Sequence, residues 1–78
     1  MRKKERRLIV AFHSTHDAMA FEDFCMTRGA DGRLIPLPRE ISAGCGLAWS
    51  APAGDEAGLR ALLREAGIEP QHVRELEI

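Results

Sequence analysis

Apolar and polar positions along the chain alternate between two periods. Leu8 to Phe12 is an unbroken apolar run rich in strand formers, which predicts a strand central in a sheet or buried on both faces. Ser14 and Asp17 follow with the spacing of a capping box, so a helix opens near residue 15 and runs to about residue 28. Within it Ala18, Phe21, Phe24 and Cys25 share one face while Glu22 and Asp23 point outward, and Arg28 and Gly29 supply a cationic last turn and a stop. Cys25 therefore reads as a core residue.

Asp31 and Gly32 form a turn into a second strand, Arg33 to Leu37, whose Pro36 lacks an N–H and places it at a sheet edge. Leu47, Trp49 and Ala51 alternate with Ala48 and Ser50 as a third strand, ended by Pro52 and Gly54. A second helix over 55–66, capped by Asp55 or Gly54, carries Leu59, Leu62, Leu63 and Ala66 as one apolar stripe and stops at Gly67. Leu62 and Leu63 are expected to anchor it. Val73 to Ile78 alternates again and completes a fourth strand.

The order strand, helix, strand, strand, helix, strand predicts an α+β, ferredoxin-like βαββαβ domain: a four-stranded antiparallel sheet in the order 4-1-3-2, with both helices on one face. In that topology the end of the first strand meets the start of the third. Cys45 then falls near Ser14, Thr15 and His16, at the amino terminus of the first helix.

At 78 residues the chain is one domain, near the lower size limit for a single core without staples. Its residues divide into a basic extension over 1–7 and a domain over 8–78. The extension changes the electrostatic picture, because residues 2–7 carry +4 against an overall charge of −1, leaving −5 on the body. An acidic body argues against nucleic-acid binding. No stretch approaches the roughly 20 apolar residues of a membrane span, and the basic start lacks a signal-peptide core. Two cysteines without Cys-x-x-Cys spacing fit a reducing compartment, the cytoplasm, with no structural disulfide.

The stretch from Pro36 to Trp49 holds more than a hairpin turn requires. Gly44 and Gly46 flank Cys45, leave its sulfur uncrowded and permit backbone conformations closed to other residues. Arg39 supplies a positive charge of the kind that favours a thiolate, and the Ser42 hydroxyl can donate to a bound anion. The helix start at Ser14, Thr15 and His16 offers free N–H groups to the same anion. The competing reading makes Cys45 a small buried hydrophobe at a strand start, the usual fate of a free cysteine. A zinc site from His13, His16, Cys45 and His72 is disfavoured, since the two first histidines straddle a strand-to-helix junction and no second ligand pair completes a tetrahedron. No metal and no cofactor are expected.

Phe12 to Ala18, together with Leu34 to Leu47 and its residues Pro36, Pro38, Arg39, Ser42, Cys45 and Gly46, resembles the "Putative Se/S carrier protein-like" family of small bacterial and archaeal domains. The resemblance covers nearly the whole chain after the basic extension. It implies that Cys45 holds the cargo, as a persulfide or selenopersulfide. The sulfur or selenium would come from a donor enzyme of the cysteine desulfurase or selenocysteine lyase type and pass to an acceptor protein, more a carrier's task than a stand-alone enzyme's. Two other readings stay open: a regulatory module that binds a small anion while Cys45 merely packs, and a homodimer joined through the Pro36 edge or the open sheet face, which an exposed Trp49 would mark.

Overall fold

The computed structural model describes residues 4–78. The start of the expected basic extension, residues 1–3, lies outside the described residues. Six elements follow in the order β1 (Arg6–Ala11), α1 (Thr15–Arg28), β2 (Arg33–Pro36), β3 (Leu47–Pro52), α2 (Glu56–Ala66) and β4 (His72–Glu77). The sheet order is β2-β3-β1-β4, with every neighbouring pair antiparallel. This is the expected ferredoxin-like α+β fold.

Both helices start and stop where their side chains dictate. Ser14 Oγ accepts from the Asp17 N–H at 3.1 Å, and Asp55 Oδ1 accepts from the Gly58 N–H at 3.0 Å, so each amino terminus has one of its free donors satisfied. Gly29 and Gly67 end the helices in the left-handed region, at φ 68° and 72°, where a side chain would be strained.

The alternation of the strands sorts the core into two layers. Leu8, Val10, Phe12, Trp49 and Ala51 face the helices and meet Ala18, Phe21, Cys25, Leu59 and Leu63. Phe21 stands edge-on to the Trp49 ring at 5.6 Å between centroids, an arrangement that aromatic quadrupoles favour. Trp49 is only 2% exposed, so it does not provide the exposed interface marker that a dimer module would show. A Cβ on Gly32 would come within 2.6 Å of the Trp49 indole, which makes glycine a packing requirement there. Of the expected leucine stripe, Leu59 and Leu63 are buried while Leu62 is half-buried at its margin.

The second layer lies on the far side of the sheet. Ile9, Ala11 and Ala48 are buried there under Ile41, with Leu37 and Ala43 packed beside them. The segment 37–46 between β2 and β3 is therefore a flap folded across the face that carries no helix. This explains the unbroken apolar run of β1: its even-numbered residues meet the helices and its odd-numbered ones meet the flap.

β1 begins two residues before the expected Leu8. Arg7 pairs in register with Pro52, and its guanidinium donates from Nε to Ser50 Oγ at 2.9 Å and from Nη2 to Ser50 O at 3.2 Å. Glu5 exchanges backbone hydrogen bonds with Ile78, extending the pairing of β1 and β4 beyond the strand ends.

Candidate functional site

Cys45 lies at the exit of the flap, two residues before β3. The antiparallel register sets Ala11 opposite Ala48, so the end of β1 and the start of β3 meet as the sequence predicts. A Cβ on Gly44 would lie 2.5 Å from His13 O, so the flap approaches the β1–α1 junction too closely for any side chain at that position. At Gly46 the same addition meets nothing within 4 Å. Neither glycine has a positive φ, so the expectation of special backbone conformations gives way to a closer account: Gly44 is required by contact, and Gly46 leaves open space beside the cysteine.

The Cys45 side chain turns toward the helix-side core and is 7% exposed. Its Sγ–H donates to Leu47 O at 3.2 Å, and the Leu47 N–H donates to Sγ at 3.3 Å. A thiolate would keep the second bond and lose the first.

The flap is fastened by β4 and the residue before it. Gln71 Oε1 accepts from the Gly44 N–H at 2.8 Å, while the Gln71 N–H donates to Ala11 O at 2.8 Å, so one residue ties the cysteine loop to the end of β1. His72 lies with Nε2 3.0 Å from Ser42 O, donating in the tautomer protonated there, and Arg74 Nη1 donates to Glu40 O at 3.1 Å. These three anchors were missed in the sequence because two of the contacts are to backbone carbonyls and the third is to a glycine N–H, which no motif records. The one available signal was the apolar run of β1, whose second buried face needed a cover.

Of the other predicted residues, Ser14 caps α1, with Thr15 and His16 exposed in its first turn. Arg39 is exposed on the flap between Pro38 and Glu40, both of which border the helix-free face. Among the described residues Arg39 forms no hydrogen bond or ion pair, and no hydrogen bond links Arg39, Ser42 or the first turn of α1 to Cys45. Ser42 is exposed, with its carbonyl held by His72. The structure thus gathers Gly44, Cys45 and Gly46 against the β1–α1 junction and carries Arg39 and Ser42 on the flap.

Cys25 is fully buried in α1 among the helix-side core residues. Burial pushes its thiol up from 9.0 to about 11, because the low-dielectric interior penalises the charged form. Among the described residues no group of three His, Cys, Asp or Glu side chains is placed to hold a metal ion, and no helix is long and apolar enough to cross a membrane.

Fold and site together define a small ferredoxin-like domain with a flap over its second face and a buried cysteine at the exit of that flap. The chain belongs to the "Putative Se/S carrier protein-like" family, whose profile matches residues 7–75. Comparison with curated proteins and with solved structures gives no match.

Proposed function

We propose that the protein carries a sulfur or selenium atom on Cys45. The family membership supports a carrier role, and the observation that carries the assignment to Cys45 is the contrast between the two thiols. Cys25 is sealed in the core with its proton held to about pH 11, whereas Cys45 ends a loop with open space at Gly46 and a backbone N–H directed at its sulfur.

In the transfer step the Cys45 thiolate attacks the terminal sulfur of a persulfide on a donor enzyme. A new bond forms between Sγ and that sulfur, the donor's S–S bond breaks, and the donor cysteine leaves as a thiolate. The product is Cys45–S–S⁻, or Cys45–S–Se⁻ for selenium, with no net oxidation or reduction. An acceptor protein takes the atom by the same exchange in reverse.

Cys45 is buried at rest, so loading requires the flap to shift at its exit, with Gly46 as the unobstructed point. In the loaded state the Leu47 N–H, already directed at Sγ, and the helix start at Ser14, Thr15 and His16 would stabilise the terminal anion, and Arg39 and Ser42 would join them only through the same shift of the flap. The donor is of the cysteine desulfurase or selenocysteine lyase type.

The test is intact-mass analysis after incubation with such an enzyme and its amino-acid substrate. Wild type and Cys25→Ser should gain the mass of one sulfur or selenium atom, and Cys45→Ser should not. Equal loading of Cys45→Ser would overturn the assignment.

A further inference from the structure

Beyond the flap, the helix-free face of the sheet opens into a groove of about 770 Å³ that does not include Cys45. We infer that this groove binds a small organic monocarboxylate, its head on Arg7, Arg33 and Ser50 and its apolar body on Ile35 and Ile78.

The register builds the head site. Arg33 pairs with Ser50 across β2 and β3, and Arg7 pairs with Pro52 across β1 and β3, so all three side chains at Arg7, Arg33 and Ser50 stand on one face. Arg7 is fixed by its two bonds to Ser50, and its remaining N–H groups have no partner among the described residues. Ser50 is 3% exposed; its hydroxyl accepts from Arg7 and donates to no group among the described residues. A buried hydroxyl with an unused proton beside two guanidinium groups is a set of donors that converges on an oxyanion.

The described arginines divide into those that pair with a carboxylate and those that do not, Arg39, Arg64 and Arg74 being among the latter. Arg6, Arg28 and Arg60 each pair with a glutamate at 2.8–3.2 Å. Arg7 and Arg33 have no such pair among the described residues, although Glu5 and Glu40 border the same groove. Lys4 adds a third cation to the border, and the converging donors of Arg7, Arg33 and Ser50, rather than net charge, select the head group. Ile35, Pro36 and Ile78 give the groove an apolar wall, and its volume lies within the roughly 300–1,000 Å³ typical of small-ligand sites.

The inference stands on residues separate from the carrier thiol. Its test is an NMR titration of the full chain with octanoate, with 1-octanol as the same tail without charge and acetate as the same head without a tail. Octanoate should saturate and shift the Arg7 and Arg33 Nε–H resonances, binding at least about tenfold tighter than either control, since the site needs both parts. Arg33→Gln, at an exposed position, should keep the native spectrum and weaken octanoate about tenfold while leaving octanol unchanged. Octanol binding as tightly as octanoate, no saturation by octanoate, or unchanged affinity in Arg33→Gln would each overturn the proposal. Arg7→Lys, which keeps the charge and loses the fork, should weaken octanoate as well; full affinity in that variant would remove Arg7 from the site.

Discussion

The two cysteines occupy the same helix-side core and differ in what holds them there. Cys25 sits within α1, between two helical turns and the sheet, and is freed only when that whole layer comes apart. Cys45 sits at the end of a loop held by the packing of Ile41, Leu37 and Ala43 and by single hydrogen bonds with Gln71, His72 and Arg74, a local set of contacts that the proposed function requires to open without the helix layer. Both thiols are buried, at 0% and 7% exposure, but what encloses each one differs. On the proposed function, the route by which a thiol becomes exposed decides which one would exchange sulfur.

The largest expected effect breaks the helix layer. Leu63→Ala should cost about 2–5 kcal/mol, because Leu63 is 2% exposed and packs among the residues that enclose Cys25. In urea titrations that loss should accompany faster alkylation of Cys25 through global unfolding, with the Cys45 rate nearly unchanged. Leu62→Ala, at a half-buried position, should cost less. A parallel rise at both cysteines in Leu63→Ala would show that Cys45 also waits for global unfolding.

A second test compares the glycines beside Cys45. Gly44→Ala forces a Cβ against His13 O and should destabilise by about 1–3 kcal/mol, whereas Gly46→Ala should change stability by no more than about 0.5 kcal/mol. Similar melting curves for the two variants would contradict the contact account of the loop.

Stability against pH isolates Cys25. Its folded thiol titrates at about 11 and its unfolded reference is 9.0, so the unfolded state loses its proton first as pH rises. The folded state should therefore lose on the order of 2 kcal/mol between pH 9 and pH 11, with no contribution from this group below pH 9. Cys25→Ala should flatten the curve in that window. An unchanged slope would assign the loss to other groups.

The smallest effect concerns the fastening of the flap. Gln71→Ala removes the acceptor of the Gly44 N–H and should cost about 0.5–1.5 kcal/mol. It should also accelerate Cys45 alkylation while leaving Cys25 alone. A slower or unchanged Cys45 rate would mean that Gln71 does not restrain the cysteine loop.

Sheet order, both helices and the cysteine's place beside the β1–α1 junction were legible because they follow from periodic apolar patterns and end signals such as Ser14, Asp55, Gly29 and Gly67. The flap was not, since Leu37, Ile41 and Ala43 carry no period and are held through carbonyls of residues 40 and 42. Arg39 illustrates the consequence. It stands six residues from Cys45 in sequence, and the fold of the flap carries it along the border of the opposite face. Arg7 reads in the sequence as part of the basic extension because its neighbours are charged. Its bond to a buried serine on β3 depends on a register that only the folded sheet reveals.

The central claim is that Cys45 is the exchangeable thiol, and pulsed alkylation of the native protein at neutral pH, followed by peptide mapping, tests it most directly. Cys45 should be labelled on the order of a hundredfold faster than Cys25, with the difference disappearing in urea. Labelling of Cys25 first, or of neither cysteine until the protein unfolds, would contradict the account.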